Sequence, residues 1–306
     1  MKDFRTYSNI NDIEQRLEKL GTSLGLDERR QRMLDSEDFG GDQRSVLGID
    51  ILGYSQYRAP EQDFVPILFH MLFLKAIKDV LIYEYLIFQN HTEKTIKERY
   101  IPTGDGGFII FENPLESILF ALYFESYLRD YNSGGRHEAI FEYIGPVKVR
   151  YAVTYDEIYR VLDPKNFFGT GIINCARIMA KDKLDRCLLD ENTYKWFLKH
   201  TNGLESLRNT PIDKLLTLEP FTDLKNAEIP ENRYASYAFP NNRSRHEPGV
   251  DLIIVMKVGT IQVKATEISI YNAFLQMPYM YASNASEPES YYVVSLGNNN
   301  ADGLLT

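Results

Sequence analysis

Hydrophobic and polar residues alternate along the first half of the chain in a pattern that predicts a strand, a helix and a hairpin. Residues 46–51 are apolar apart from one glycine and one aspartate, which is typical of a buried central strand. Residues 60–90 carry apolar side chains near the helical period and indicate a helix. Two apolar runs then flank Thr-Gly-Asp-Gly-Gly, and an Asp-Gly pair between such runs is a strong hairpin signal.

The pattern continues with helices and strands in alternation. A helix is predicted over residues 114–132, because Asn113-Pro114 is a typical helix entry and Gly134-Gly135 a typical end. Alternating valines and a tyrosine predict a strand over 147–154. We further expect a helix at 168–182, a strand near 187–189 and a short helix at 191–200. This order favours an α+β sandwich, with a mixed sheet and helices covering one of its faces.

Both ends of the chain are less regular. A polar segment, residues 1–43, is predicted to hold one short helix starting at Asn11, and its charged part, residues 27–43, is expected to be a loop. Residues 44–220 are expected to form the main domain. Residues 221–282 are expected to complete it with a loop (222–249) and a hairpin of strands 252–256 and 260–271, turning near Gly259. Residues 283–306 are polar and are expected to form a mobile tail in an irregular C-terminal extension.

Composition limits the classes of function. With 306 residues, 44% hydrophobic and 13% aromatic, the chain can bury a full core. A formal net charge of −9 argues against broad nucleic-acid binding, which needs a basic face. Only Cys175 and Cys187 are cysteines, and no cationic, apolar leader is visible, so a reducing cytoplasm is expected. Residues 64–88, the longest apolar stretch, contain four charged residues, so no membrane span is predicted.

Two aspartates are the candidate chemistry. Asp50 interrupts the predicted central strand, and Asp105 occupies the turn of the hairpin. An unpaired carboxylate in a buried strand is costly, and two neighbouring carboxylates repel each other unless a cation lies between them. Two-metal phosphoryl transfer uses that arrangement. Carboxylate and carbonyl oxygens suit magnesium or manganese, whereas the five scattered histidines have no ligand spacing for zinc.

Three segments resemble the catalytic domain of class III nucleotidyl cyclases. They are Asp-Ile-Leu-Gly-Tyr-Ser at residues 50–55, Gly-Asp-Gly at 104–106, and Phe-Gly at 168–169 followed by Ala-Arg at 176–177. The resemblance covers about residues 44–220. It implies the cyclase-like fold and a ribose 3′-hydroxyl that attacks the α-phosphate of its own triphosphate. It also implies two divalent metals, Mn²⁺ or Mg²⁺, bound by Asp50, Asp105 and the backbone carbonyl of Ile51.

The same resemblance assigns the remaining catalytic roles. The backbone at Gly53, Tyr54 and Ser55 is expected to bind the β- and γ-phosphates. Arg177 is expected to stabilise the transition state. Asn174, on the same helix face as Arg177, is the candidate for orienting the ribose, although the family spacing places that asparagine where this chain has Ile173. In the family the aspartates and the Asn/Arg pair come from opposite subunits, which implies a homodimer with shared active sites.

The base-reading positions depart from the family pattern. Purine-specific members carry polar residues where this chain has Ile101 and Asn166, and an isoleucine cannot hydrogen-bond a purine edge. The chain is therefore similar to the pyrimidine cyclases of the bacterial Pycsar anti-phage systems, which make a cyclic pyrimidine nucleotide that a downstream effector reads. Candidates for the base pocket are Arg99, Tyr100, Tyr54 and Asn166. UTP is preferred over CTP because Arg99 is an obligate donor.

Three alternatives remain open: a cytidylate cyclase, a purine nucleotide cyclase, and a catalytically dead cyclase fold that only binds nucleotide.

Overall fold

A mixed β-sheet forms the centre of the molecule. The computed structural model describes residues 4–7, 9–19, 25–35, 41–134, 137–161, 166–207, 210–239, 241, 252–263, 266–281 and 290–304. The strands are β1 (Thr6–Tyr7), β2 (Asp42–Ile51), β3 (Tyr100–Pro102), β4 (Gly106–Phe111), β5 (Val149–Val161), β6 (Phe167–Phe168), β7 (Cys187–Asp190), β8 (Leu252–Val263), β9 (Thr266–Tyr281) and β10 (Ser290–Leu296). The helices are α1 (Ile10–Lys19), α2 (Leu26–Asp35), α3 (Ala59–Tyr83), α4 (Tyr85–Phe88), α5 (Glu93–Glu98), α6 (Pro114–Asn132), α7 (Glu138–Ile144), α8 (Thr170–Lys181), α9 (Glu191–Thr201), α10 (Leu204–Leu207) and α11 (Ile212–Leu215). Among them, none is both long and apolar enough to cross a bilayer.

The strands pair in the order β10-β9-β7-β5-β2-β4-β3. Along this path β5 and β7 pair in parallel, and each of the other neighbouring pairs is antiparallel. Strand β8 pairs with β9, while β1 and β6 pair with the far end of β5. This register makes β2 a central strand and places Asp50 between Gly106 of β4 and Arg150 of β5.

Helices cover both faces of the sheet, which corrects the prediction that they cover one. Leu47 and Ile49 of β2 belong to the larger core cluster, which α3 and α6 close. Val46 faces the other way, into a smaller cluster with Ile178 of α8. Helix α8 approaches closely because Gly48 has no side chain: a Cβ there would lie 2.7 Å from the Met179 sulfur.

Most of the predicted elements are confirmed. Helix α6 spans the predicted residues, and the Asn113 side chain caps it by accepting from the Leu115 N–H (3.1 Å). The long apolar helix ends at Tyr83 and is followed by the short α4, while β5 continues seven residues beyond its predicted end. The predicted α+β architecture with a mixed sheet is confirmed.

The ends of the chain differ from the sequence prediction. Residues 26–35 form α2 rather than loop, and two acidic residues in its first turn favour a helix start. Gly259 lies at a β-bulge instead of a turn, since β8 and β9 remain paired as far as Val263 and Thr266. The predicted mobile tail includes β10, which pairs with β9 along its length; residues 283–289 lie outside the described part. In the predicted loop, residues 225–239 have no helix or strand, and 240 and 242–249 are not described.

Candidate active site

The two candidate metal ligands lie side by side at one end of β2. Asp50 is the cross-strand partner of Gly106, and the Ile51 N–H donates to the Asp105 carbonyl (3.1 Å). A side chain at residue 106 is not tolerated, because its Cβ would lie 2.0 Å from the carbonyl oxygen of Ile49. The Gly-Asp-Gly turn thus brings the Asp105 backbone against the end of β2.

Burial and a neighbouring charge both act on Asp50. Burial raises the pKa of its carboxyl group, a contribution that the nearby Arg150 opposes, and the charge of Asp105 raises the pKa further. The two carboxylates are therefore close enough to repel each other. A cation beside them favours the state in which both are ionised.

Arg150 is such a cation, and sequence reasoning missed it. Its Nε donates to Asp50 Oδ2 at 2.6 Å, and its Nη1 donates to the backbone carbonyl of Asp182. Asp50 and Arg150 are direct partners between β2 and β5, although they are 100 residues apart in the chain. Only the strand register reveals this pair, since nothing local in the sequence aligns the two positions.

The residues present fit a magnesium or manganese site. Asp50, Asp105 and the Ile51 carbonyl offer oxygen ligands, which these metals prefer. Within the described ranges, no three or more His, Cys, Asp or Glu side chains group into a metal site. A metal bound here would complete its coordination with water and substrate phosphate, as is usual for magnesium in phosphoryl-transfer sites.

The predicted phosphate-binding backbone leaves β2 in a sharp turn. Gly53 has φ 74°, the left-handed region that favours glycine, and residues 54–56 form one 3₁₀ turn before α3 begins at Ala59. Gly53 and Ser55 are exposed. The Tyr54 hydroxyl donates to the Gln62 carbonyl (3.2 Å), and its ring packs against the larger core cluster. That side chain is therefore not available for the base pocket.

Arg99 and Tyr100 are likewise not placed in a base pocket. Arg99 is only 5% exposed and donates to Glu112 Oε1 (2.9 Å), with its guanidinium 4.7 Å from the Phe4 ring centre. The Tyr100 ring packs against Phe73 in the larger cluster (4.6 Å between centroids), on the face opposite α8. The fold therefore places the Arg99 side chain in an ion pair and the Tyr100 side chain in the larger core cluster.

Helix α8 separates the two residues that were expected to act together. Asn174 is 4% exposed and donates from Nδ2 to Asp156 Oδ2 (3.1 Å), whereas Arg177 is exposed. Ile173, four residues before Arg177, is the one that shares its exposed face, with half of its surface accessible. The prediction that Asn174 and Arg177 share a face is wrong, because the carboxylate of Asp156 holds the amide inside.

Arg177 and Asn166 both lie at the surface. No hydrogen bond or ion pair in the described structure joins Arg177 to Asp50 or Asp105. Asn166 is exposed, and its backbone carbonyl accepts from the Val161 N–H (3.0 Å). Within a single chain, therefore, the metal-binding candidates come together and the arginine does not join them.

The chain was compared with known proteins. No protein-family model and no curated protein sequence matches it. Among solved structures, adenylyl cyclase CyaB from P. aeruginosa is similar with a TM-score of 0.43 and 11% identity, over 80% of this chain and 97% of that one. The catalytic core of a rhodopsin-guanylyl cyclase with converted specificity, in complex with ATPalphaS, gives 0.43 and 9%, over 76% and 95%. The guanylate cyclase domain of RhGC from Catenaria anguillulae, in complex with GTP, gives 0.41 and 10%, over 76% and 96%. With TM-scores of 0.43 or lower, these likenesses do not assign an activity to this chain.

Proposed function

We propose that this chain is a nucleotidyl cyclase that converts a pyrimidine nucleoside triphosphate, UTP or CTP, to its 3′,5′-cyclic monophosphate and diphosphate. The observation that carries the proposal is the register of β2 with β4, which puts Asp105 beside Asp50 at the end of a buried strand. A pair of repelling carboxylates at such a place is costly unless it serves to bind cations. The proposed catalytic domain is residues 44–220, with 221–282 completing it.

Each residue of the site has a proposed part in the reaction. Two divalent metals, when bound, would acidify the ribose 3′-hydroxyl and neutralise the triphosphate. Asp50, Asp105 and the Ile51 carbonyl would hold them. Gly53 and Ser55 are exposed and follow Asp50 and Ile51 closely in the chain, and their backbone is proposed to contact the β- and γ-phosphates.

Arg177 is proposed to act on the α-phosphate of the nucleotide that is bound at the site of a second copy of the chain. Its exposure, and the lack of a hydrogen bond or ion pair in the described structure between it and the aspartates of its own chain, support a homodimer with shared sites. Asn174 is buried against Asp156, so we do not assign it the ribose.

The pyrimidine preference rests on two positions near the base. Ile101 is apolar, packs against the smaller core cluster and offers a purine edge no hydrogen bond. Asn166 is exposed, and its amide both donates and accepts, so it can serve uracil or cytosine. Because Arg99 is committed to Glu112, the donor that favoured UTP over CTP is lost, so uridylate and cytidylate cyclisation are equal candidates. A purine nucleotide cyclase is the less favoured alternative. By the resemblance, the cyclic product would be a second messenger for antiviral defence, read by a separate effector.

A domain that binds nucleotide without turnover is the second candidate, and one contact favours it. Arg150 already donates to Asp50 at 2.6 Å, so this carboxylate has a cationic partner in the absence of any metal. A catalytically inactive domain would therefore not lose its fold. Nucleotide binding without any product distinguishes this candidate from an active cyclase.

The test incubates the purified protein with each of UTP, CTP, ATP and GTP and Mn²⁺, and identifies the products by mass. Cyclic UMP or cyclic CMP as the main product, with ATP and GTP poor substrates, is the expected result. A site built to hydrogen-bond one base edge rejects another by roughly 10⁴-fold in favourable cases. Efficient cyclisation of ATP would contradict the pyrimidine assignment, and the absence of any cyclic product would contradict the activity.

A further inference from the structure

The last described residues lie across the segment that follows α8. We name residues 297–304 the C-terminal strap. Arg186, which precedes β7, is 1% exposed, and its Nη1 donates to two backbone carbonyls of the strap, those of Asn300 (3.4 Å) and Asp302 (2.5 Å). A buried guanidinium thus depends on the strap for part of its hydrogen bonding.

The other side of the Arg186 guanidinium is paired with a buried carboxylate. Its Nε and Nη2 donate to Asp182 Oδ1 at 2.9 and 2.7 Å, and both side chains are 1% exposed. A fully buried ion pair repays its desolvation only when the remaining donors are also satisfied. The strap carbonyls satisfy Nη1, so the strap and the ion pair stabilise each other.

The same Asp182 contacts the candidate active site through its backbone. Its carbonyl accepts from Arg150 Nη1, and Arg150 Nε donates to Asp50. A continuous path of hydrogen bonds therefore runs from the strap through Arg186, Asp182 and Arg150 to a proposed metal ligand. Each link is a direct contact, and the central ion pair is excluded from water.

Independent contacts fix the strap in place. The buried Asn272 of β9 donates to the carbonyls of Asn298 (3.0 Å) and Asn300 (3.2 Å). The Asn298 side chain donates to Asp185 Oδ1 (2.5 Å), and the Leu304 N–H donates to the Val258 carbonyl of β8 (3.3 Å). The strap position is therefore held by β8 and β9 and does not depend on Arg186 alone.

We propose that Arg186 is a positioning residue: its ion pair with Asp182, closed by the C-terminal strap, anchors Arg150 beside Asp50 and so sets the affinity of the site for divalent cations. This rests on the proposed function, since it takes Asp50 and Asp105 as metal ligands. Arg150 competes with a metal for the Asp50 carboxylate. The better its guanidinium is anchored, the weaker the metal binds.

The experiment measures Mn²⁺ binding to the nucleotide-free protein by the electron paramagnetic resonance signal of free Mn²⁺. Removing Arg186 alone would leave a buried, unpaired carboxylate, so the test variant is Asp182→Asn/Arg186→Met, in which both charges are removed. We expect Mn²⁺ to bind about fivefold more tightly, the lower end of typical coupling between sites. Arg150→Met should tighten binding at least as much, and adding Asp182→Asn/Arg186→Met to it should change nothing further.

Lys148→Met is the matched control, because Lys148 is a nearby cation that pairs with Asp185 at 3.4 Å, and no hydrogen bond or ion pair among the described residues joins its side chain to Arg150. Its Mn²⁺ affinity should equal that of the unaltered protein. Unchanged or weaker binding in Asp182→Asn/Arg186→Met, or an effect that persists in the Arg150→Met background, overturns the inference. Mn²⁺ binding that Asp50→Asn does not weaken would contradict the proposed metal site itself.

Discussion

At the scale of single residues, three charges determine the chemistry at the end of β2. Asp50 and Asp105 repel each other, and Arg150 relieves that repulsion only for Asp50, to which it donates directly. The two carboxylates are therefore equivalent as proposed metal ligands and different as contributors to stability.

This difference leads to a prediction for Asp50→Asn and Asp105→Asn. Each variant should lose turnover by roughly 10³-fold or more, since each removes a charged ligand from a two-metal site. The two variants should differ in thermal stability. Asp50→Asn leaves Arg150 without its carboxylate partner and should lower the melting temperature. Asp105→Asn relieves the repulsion between the carboxylates and should not lower it. Product formation and thermal unfolding of the same preparations measure both effects. Activity above a few per cent in either variant would contradict the assignment.

At the scale of elements, Glu84 joins the end of α3 to a distant segment without helix or strand. It is fully buried and accepts from the Tyr123 hydroxyl (2.9 Å), from Ser236, and from the backbone N–H groups of Tyr237 (3.2 Å) and Ala238 (2.9 Å). Burial, the largest influence, raises its pKa from 4.5 to about 7 in spite of these donors. The stability that Glu84 contributes by joining α3 to residues 236–238 therefore depends on pH.

The sign of that sensitivity follows from linkage. The folded protein binds the Glu84 proton more tightly than the unfolded chain does. The contribution of Glu84 to the free energy of unfolding is therefore complete below pH 4.5 and is lost as the pH rises to about 7. The shift corresponds to roughly 3 kcal/mol. Glu84→Gln does not titrate, so the free energy of unfolding of the native protein minus that of the variant should fall by about this amount over that interval.

Urea unfolding of both proteins at several pH values measures this difference. The comparison with Glu84→Gln is needed because burial also raises the pKa values of Glu125 and Asp190 to about 7. Both groups are present in each protein, and their effects cancel in the difference. A difference that is constant with pH would contradict the prediction.

At the scale of the whole molecule, the parts of the proposed site belong to different elements of one chain. The aspartates lie at the end of β2, while Arg177 and Ile173 lie on the outer face of α8. If a second copy supplies the arginine, each site of a dimer contains residues from both subunits.

Complementation tests this arrangement. Mixing the Asp105→Asn and Arg177→Ala chains produces heterodimers in which one site carries both changes and the other carries none. We expect about a quarter of the native activity from random mixing, because half of the dimers then have one intact site of two. Asp50→Asn mixed with Asp105→Asn is the matched control and should stay inactive, since both changes affect the same half of the site. No recovery, with heterodimers demonstrated, would contradict shared sites.

The sequence by itself was sufficient wherever the physical signal is local. The apolar run around Asp50, the Asp-Gly turn at Asp105 and the capped helix after Asn113 were all predicted within a few residues. Burial pattern, turn chemistry and capping act over short separations, so a single sequence contains them. The central strand, the hairpin, the α+β class and the two neighbouring aspartates were therefore predictable.

Only the tertiary structure determined which side chains remain available for chemistry. Arg99 is committed to Glu112, Asn174 to Asp156, and Arg150 to Asp50, and each choice depends on strand register or helix docking between distant segments. The pairing of β10 with β9 and the docking of the C-terminal strap are also long-range. A polar residue in the sequence indicates that a partner is needed if the residue is buried, but the fold determines which residue that partner is. The physical reason is that electrostatic and hydrogen-bond energies depend on distances, which a sequence does not contain.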